Sequence, residues 1–172
     1  MTTHVGLTAR ALGADKVVLA NQAASRRDTI EDITDRFGGP FEVETTESPI
    51  DYLDDWEGEI VHLTMYGLPV QEVETEIREH HREGDPLLVV VGAEKVPWGV
   101  YEQAAYNVGV TNQPHSEVAS LAVFLDRLFE GAELDREWAA ANRAVVPQAM
   151  GKRVEDADES GEREGDATEQ AE

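Results

Sequence analysis

The run Leu87-Leu-Val-Val-Val91 is the most apolar stretch of the chain. Asp85-Pro86 precedes it and Gly92 ends it, and both are typical turn signals. An unbroken aliphatic run of this length is typical of a strand covered on both faces, which occurs mainly in parallel sheets. The run therefore predicts a central strand of a parallel α/β sheet.

Short apolar segments and amphipathic segments alternate on both sides of this run. Four further strands are predicted, at Lys16–Ala20, Phe41–Val43, Glu59–Thr64 and Tyr106–Val110. Helices are predicted at Val5–Gly13, Ser25–Phe37, Ile50–Trp56, Pro69–Glu83, Ser116–Phe129 and Leu134–Val145. Strands joined by helices indicate the α/β class, with helices flanking a parallel sheet.

The 172 residues divide into one domain and a tail. Residues 1–150 contain every predicted helix and strand and form the domain. Residues 151–172 carry 9 acidic and 3 basic side chains and almost no apolar ones. Such a segment buries too little apolar surface to order itself, so a disordered acidic tail is predicted.

The net charge of −22 comes from 36 acidic and 14 basic side chains, of which only Lys16, Lys95 and Lys152 are lysines. The acidic residues are spread along the whole chain, which is typical of a surface adapted to very high salt, as in a halophilic archaeon. At about 1 M salt the Debye length is ~3 Å, so the self-repulsion is largely screened. The charge argues against DNA or RNA binding driven by charge at low salt, but it is weak evidence against an RNA substrate in high salt.

Several classes of site are excluded by composition. The chain has no cysteine, which excludes disulfides, thiolate zinc sites, iron–sulfur clusters and cysteine nucleophiles. No apolar run approaches the ~18–20 residues of a membrane span, and no signal peptide precedes the first helix, so a cytoplasmic protein without a membrane partner is expected. No pair of histidines and carboxylates has convincing metal-ligand spacing, so no metal is predicted.

Three predicted strands are followed by turns that mix glycine with polar side chains. These turns are Leu63–Gly67, Gly92–Pro97 and Val108–Ser116. Ligands of open α/β sheets bind at the carboxyl ends of the strands, and glycine lets a ligand approach the backbone closely. There is no phosphate-cradling Walker A or Gly-x-Gly-x-x-Gly sequence. The turns favour a cofactor held by backbone groups and apolar edges, although ordinary glycine-rich turns also follow strands in α/β proteins.

Lys95 and His115 lie in these turns and have two interpretations each. Lys95 either contributes to the site or pairs with Glu94 on the surface, and His115 either caps a helix or acts in the site. His62 lies inside a predicted strand and is expected to be packed, and His80-His81 are expected on a solvated helix face.

Ser116 has no Gly-x-Ser-x-Gly context, which would mark a nucleophile, and it precedes an apolar helix. It is therefore interpreted first as a helix cap.

Three segments together resemble a known family. Thr2-Thr-His-Val-Gly-Leu-Thr-Ala-Arg-Ala-Leu-Gly-Ala14, Gly92-Ala-Glu-Lys-Val96 and Val110-Thr-Asn-Gln-Pro-His-Ser-Glu-Val118 resemble the archaeal tRNA cytidine-56 ribose 2′-O-methyltransferases. These enzymes belong to the SPOUT superfamily of knotted methyltransferases. The resemblance covers most of residues 2–145 in the same order, its third segment is the most specific, and the acidic tail lies outside it.

The resemblance implies a fold, a cofactor and partners. The fold would be a parallel α/β domain with a C-terminal deep trefoil knot, acting as a homodimer with the active site at or near the subunit interface. The cofactor would be S-adenosylmethionine and the substrate tRNA. Matching positions imply these cofactor-binding residues: Leu63, Thr64, Met65, Tyr66, Gly67, Gly92, Ala93, Glu94, Lys95, Val96, Val108, Gly109, Val110, Thr111, Asn112, Gln113, Pro114 and Ser116.

Arg10 is the residue that the resemblance assigns to catalysis. Related ribose methyltransferases carry Asn-x-Gly-x-x-x-Arg, and the matching stretch here is His4-Val-Gly6-Leu-Thr-Ala-Arg10, with His4 at the Asn position. Arginine stays protonated and is a poor base, so Arg10 is expected to position a phosphate and the ribose 2′-oxygen and to stabilise developing negative charge. Arg10, Arg26 and Arg27 are expected to form a local basic face for RNA.

The chain departs from the family at its first residues. The family has a strand and a basic segment before the Thr-Thr-His motif, whereas this sequence begins at Met1-Thr-Thr-His4. The resemblance therefore implies that an N-terminal strand is missing and that the true start lies upstream.

The function predicted on these grounds is methyl transfer from S-adenosylmethionine to the ribose 2′-hydroxyl of cytidine 56 in the tRNA T-loop. Two alternatives stay open. One is a SPOUT 2′-O-methyltransferase that acts on another tRNA position or on rRNA, because fold does not fix function. The other is a dimer that binds RNA or a small ligand without catalysis.

Overall fold

The computed structural model describes residues 2–92 and 95–156. These residues form an α/β fold, as predicted. The α-helices are α1 (Thr2–Ala11), α2 (Arg27–Phe37), α3 (Pro49–Asp54), α4 (Val70–Glu83), α5 (Trp98–Gln103) and α6 (Glu117–Phe129). The strands are β1 (Lys16–Ala20), β2 (Glu42–Thr46), β3 (Glu59–Pro69), β4 (Leu87–Val91), β5 (Tyr106–Gly109), β6 (Arg143–Val146) and β7 (Arg153–Asp156).

The main sheet has three parallel strands in the order β4-β3-β5. The parallel pairing is confirmed, but the prediction that Leu87–Val91 is the central strand is wrong. That place belongs to β3, and β4 pairs with β3 alone among the described strands, so its residues are only half-buried. β1 and β2 form a separate parallel pair.

β3 and β5 pair twice, on either side of an irregular loop. Val61–Leu63 pairs with Tyr106–Val108, and after the loop Leu68 and Pro69 pair with Val108 and Gly109. The residues between Leu63 and Leu68 therefore bulge away from the sheet at the carboxyl end of its central strand.

Alternate residues of β3 pack into two different cores, as the pleat of a strand requires. Val61 and Leu63 are buried in the larger core, which helices α1, α2, α4 and α6 cover. Ile60 points to the opposite face and packs with Leu53 of α3 and Val100 of α5 in a smaller core. The central strand is thus covered on both faces.

Helix α6 is the main apolar element of the larger core. Its buried face is Ser120, Leu121, Phe124, Leu125 and Leu128, which recur at helical spacing. Ser116 caps its N-terminus, because the Ser116 hydroxyl accepts a hydrogen bond from the Ala119 amide at 3.3 Å. The interpretation of Ser116 as a cap is therefore confirmed.

Charged side chains join α4 to α6 on the outside of the core. Arg78 donates to Glu74 on its own helix at 3.2 Å and to Glu130 at 2.8 Å. Arg127 donates to the second carboxylate oxygen of Glu74 at 2.8 Å, and Arg82 pairs with Glu130. These ion pairs neutralise Glu74 and Glu130 and hold α4 against α6.

The predicted helix over Leu134–Val145 is wrong. The chain makes a short 3₁₀ turn at Ala132–Asp135 and then runs extended, with Gly39 donating its amide to the Ala139 carbonyl at 3.0 Å. Ala140 adopts a left-handed φ of 54°, which no α-helix contains. Tertiary contacts with the end of α2 override the local helical pattern.

Residues 143–156 form an antiparallel hairpin of β6 and β7. The predicted tail boundary at residue 151 therefore falls inside this hairpin, because Val145 pairs with Val154 and the Arg143 and Asp156 side chains lie 3.5 Å apart. The rest of the predicted tail, residues 157–172, lies outside the described residues. The short helix α5 was also not predicted.

Among residues 2–92 and 95–156, no helix is both long and apolar enough to span a bilayer.

Gly67 is required by the close approach of β3 to β5. A Cβ at this position would lie 2.3 Å from the Asn107 carbonyl oxygen and 2.4 Å from the Val108 nitrogen, which are backbone atoms. Gly67→Ala should therefore lower the free energy of unfolding by about 2 kcal/mol or more, measured by urea denaturation in high salt. Gly99→Ala is the control, because no atom lies within 4 Å of its Cβ position in α5, and it should be neutral or stabilising by up to about 1 kcal/mol. Equal losses for both variants would contradict this account.

Candidate functional site

A cleft of about 300 Å³ opens at the carboxyl ends of the main sheet. All three of the turns singled out in the sequence contribute to it. Its lining includes Leu63–Tyr66 in the irregular part of β3, Gly92 and Val96 after β4, and Val110, Gln113 and Pro114 after β5. The parallel arrangement of the strands brings these turns to one edge, as the topological rule for α/β sheets requires.

The other predicted cofactor-binding residues that the structure describes are not part of this lining. Val108 is fully buried in the hydrophobic core, and Lys95 is exposed. Ser116 caps α6, and Gly67 and Gly109 lie where β3 and β5 meet. Thr111 and Asn112 are exposed next to the cleft, while Ala93 and Glu94 lie outside the described residues.

Five residues of the lining were not assigned to the cofactor from the sequence: His62, Tyr101, His115, Glu117 and Ser120. His62 and Ser120 belong to a strand and a helix, and Tyr101 belongs to the unpredicted helix α5. Their contribution depends on the pairing of β3 with β5 and on the packing of α5, which no local sequence pattern reveals. The position of His115 beside a strand-end turn was the one available signal.

Asn112 joins the turn after β5 to the irregular part of β3. Its side-chain amide donates hydrogen bonds to the Met65 carbonyl at 2.8 Å and to the Gly67 carbonyl at 2.9 Å. Both acceptors belong to the bulge between the two halves of β3. One side chain therefore donates hydrogen bonds to two backbone carbonyls of the bulge.

Gly92 permits the turn after β4 to fold closely over itself. A Cβ on Gly92 would lie 2.1 Å from a methyl group of Val96, which also lines the cleft. The Val96 side chain thus fills the space that a larger residue at position 92 would occupy.

In the lining of the cleft, His62 is held by two neighbours, one through a hydrogen bond and one through an aromatic contact. Its Nδ1 lies 2.9 Å from Oδ1 of Asn107, and its ring meets the Tyr101 ring edge to face, with centroids 4.6 Å apart. The Tyr101 hydroxyl lies 3.3 Å from the Thr64 hydroxyl. Burial lowers the pKa of His62, and the hydrogen bond to Asn107 only partly opposes this effect, so the neutral imidazole is favoured.

Arg10 lies away from the cleft. It is only 7% exposed, one of its terminal nitrogens donates to the Gly38 carbonyl, and its guanidinium lies 4.3 Å from the centre of the Trp138 ring. Its Nε is buried and has no hydrogen-bond partner among the described residues. Burial, with a smaller contribution from the nearby Arg136, lowers the pKa of Arg10.

Arg10 and the cleft lie near opposite ends of α6. Gly13, three residues after Arg10, lies against Phe129 at the last residue of α6, whereas the cleft includes Glu117 at its first. Twelve residues of α-helix span about 18 Å. The cleft of one chain therefore does not contain its own Arg10.

The predicted basic face of Arg10, Arg26 and Arg27 is not formed. Arg10 is buried, whereas Arg26 is exposed, and Arg27 pairs with Glu31 at 2.7 Å on the surface of α2. The i, i+4 ion pair neutralises the charge that Arg27 was expected to present.

His80 lies on a helix surface, as predicted, and bonds to Asp85 at 3.2 Å. This hydrogen bond raises the pKa of His80. Glu83 lies within 4.8 Å of both side chains, and both carboxylates are exposed.

Residues 37–155 match the family described as tRNA ribose 2′-O-methyltransferase, aTrm56. A tRNA (cytidine(56)-2′-O)-methyltransferase of Haloarcula marismortui is 72% identical over 159 residues, which cover 92% of this chain and 88% of that protein. Proteins with the same name from Natronomonas pharaonis and Thermococcus kodakarensis are 70% and 52% identical, over 92% and 90% of this chain and 88% and 87% of their own lengths.

The Asn112 side chain and the two carbonyls it bonds, at Met65 and Gly67, form what we call the clasp. Substituting Asn112 should therefore loosen the β3 bulge locally. Asn112→Asp removes both N–H donors and places a carboxylate against two carbonyl oxygens, so the bulge should open more often. Hydrogen exchange of amides 64–68 should accelerate by about 10-fold or more, while exchange in α4 is unchanged. Thr111→Ser is the matched control on the same turn. Unchanged exchange in residues 64–68 of the Asn112 variant would contradict the role of the clasp.

Proposed function

Because the chain belongs to the aTrm56 family of tRNA ribose 2′-O-methyltransferases, its reaction is methyl transfer to a tRNA ribose, and we propose that the cleft holds S-adenosylmethionine as the methyl donor. The acceptor is the 2′-hydroxyl of cytidine 56, the nucleotide in the names of the three relatives. The observation that carries the proposal is the convergence of the three strand-end turns on one cleft.

The residues present fit this cofactor. The cleft has the volume of a small-molecule site and is lined by backbone, apolar and polar groups. Met65, Val96, Val110 and Pro114 would pack against apolar parts of the cofactor, and the strand-end backbone would supply hydrogen bonds. When bound, S-adenosylmethionine supplies an electrophilic methyl group.

The protein's own contribution is to orient the hydroxyl and to stabilise charge on its oxygen. A ribose hydroxyl is a weak nucleophile, so much of the rate should come from holding it in line with the methyl group. Arg10 is proposed to donate to a phosphate and to the 2′-oxygen as negative charge develops there. The support for this role is the match of His4-Val-Gly6-Leu-Thr-Ala-Arg10 to the Asn-x-Gly-x-x-x-Arg motif of related ribose methyltransferases.

We propose that Arg10 acts on the cleft of a second copy in a homodimer. The support is its position, since Arg10 and the cleft of the same chain lie near opposite ends of α6. A C-terminal trefoil knot is also proposed, and the double pairing of β5 with β3 around the bulge supports a compact crossing of the chain there. The proposed place of action is the cytoplasm.

The activity is tested with unmodified tRNA transcript and labelled S-adenosylmethionine in about 2–3 M KCl, which screens the protein's charge. The methylated position is mapped by cleavage that 2′-O-methylation blocks. We expect label at cytidine 56 and none in a transcript with 2′-deoxycytidine at that position. Label elsewhere in tRNA or in rRNA would favour the first alternative function. Cofactor binding without any transfer would favour a non-catalytic dimer.

The assignment of Arg10 is tested by mixing two inactive variants. Arg10→Ala should lower kcat by about 100-fold or more, the scale for losing a donor to a developing oxyanion. Asn112→Asp should impair the cleft. Subunits exchanged in equal amounts should recover about a quarter of wild-type activity, because half of the dimers are mixed and each has one complete site. No recovery, with exchange verified by mass, would show that Arg10 does not act across the interface.

A further inference from the structure

The orientation of the Asn107 side chain is fixed by a backbone group. Its Nδ2 donates to the Tyr101 carbonyl at 3.0 Å, and a carbonyl oxygen can only accept. The amide nitrogen of Asn107 therefore faces α5, and its Oδ1 must face the other way. That oxygen lies 2.9 Å from Nδ1 of His62.

The orientation of Asn107 in turn determines the tautomer of His62. Because Oδ1 of Asn107 is an acceptor without a proton, Nδ1 of His62 must carry the hydrogen of this bond. In the neutral imidazole, Nε2 then bears a lone pair and acts only as an acceptor. Burial lowers the pKa of His62, which favours this neutral form.

The Nε2 atom has no hydrogen-bond partner in the protein. Among the described residues, His62 makes its one hydrogen bond through Nδ1, and the edge-to-face contact with Tyr101 offers no donor to Nε2. His62 is 1% exposed, yet it belongs to the lining of the cleft. Nε2 is therefore free to accept a hydrogen bond from a molecule that occupies the cleft.

We propose that Nε2 of His62 accepts a hydrogen bond from an N–H or O–H group of the bound methyl donor, which makes His62 a specificity-determining residue. The inference rests on the proposed function, because it needs S-adenosylmethionine in the cleft. The partner is the cofactor and not the RNA because His62 is only 1% exposed. A small molecule that fills the cleft can contact it, whereas a large substrate at the cleft entrance cannot. The donor groups of this cofactor are its 6-amino group, its ribose hydroxyls and its ammonium group.

The tautomer and its response to ligand are measured directly by ¹⁵N NMR of histidine-labelled wild-type protein. His62→Phe assigns the resonances, because it removes one imidazole of the five histidines. We expect Nδ1 of His62 to be protonated in the free protein, and the Nε2 resonance to move upfield when S-adenosylmethionine binds. A role confined to holding the fold would leave Nε2 unmoved.

Calorimetric titration measures what the hydrogen bond contributes to binding. His62→Phe keeps an aromatic ring against Tyr101 but removes the acceptor, and it should raise the Kd for S-adenosylmethionine about 10-fold. Tyr106→Phe is the matched control, because it deletes a hydrogen bond to Glu76, 2.9 Å long, between residues that do not line the cleft. Its Kd should equal that of the wild type. Repeating the titrations with methylthioadenosine, which lacks the ammonium group, identifies which part of the cofactor donates.

The outcomes separate the two proposals. Failure of the wild-type protein to bind S-adenosylmethionine would overturn both of them. If the protein binds S-adenosylmethionine, any one of three results would overturn this inference and leave the proposed function in place. These results are a protonated Nε2 in the free protein, an Nε2 resonance that does not move, and an unchanged Kd for His62→Phe. If His62→Phe does not fold, replacing the other four histidines one at a time assigns the His62 resonances by elimination, and following them through the titration decides the question.

Discussion

The pairing of β3 with strands on both of its sides is the constraint on which the rest of the structure depends. Parallel pairing sends β3, β4 and β5 in one direction, so their following turns meet at one edge of the sheet. The pleat of β3 then divides its side chains between two cores, which places Val61 and Leu63 against α6 and His62 toward α5. The position of β3 thus brings together the residues that line the cleft.

The polar groups inside the molecule are arranged differently from those on its surface. Outside, acidic side chains dominate and ion pairs such as those of Glu74 and Glu130 are partly exposed, so each is worth little singly. Inside, few polar side chains are buried, and His62 is one that makes a directed hydrogen bond with a defined donor, to Asn107. Salt hardly screens such buried groups, whereas it strongly screens the charges on the surface.

The sequence predicted the elements whose pattern is local and failed where tertiary contacts decide. The apolar run of β4 and the spacing of α6 required no knowledge of their neighbours, and the turns of the cleft followed from a general rule for α/β sheets. No local pattern indicates the order of the strands in the sheet, so the sequence prediction placed β4 at the centre instead of β3. The segment around Trp138 resembles a helix locally, but Gly39 and Arg10 hold it extended. His62 was expected to be packed, and it is buried, but its place in the cleft lining depends on the partners that β5 and α5 supply.

The contact between Asn112 and the carbonyls of Met65 and Gly67 has a consequence for synthesis on the ribosome. The two ends of this contact are separated by 47 and 45 positions in the chain. A nascent chain that has emerged only as far as β4 contains the cleft residues of β3 and β4. It still lacks β5 and the Asn112 side chain that bonds the β3 bulge. Translation therefore delivers the ligand site late, and the ability to retain a small ligand would distinguish a finished polypeptide from one still being made.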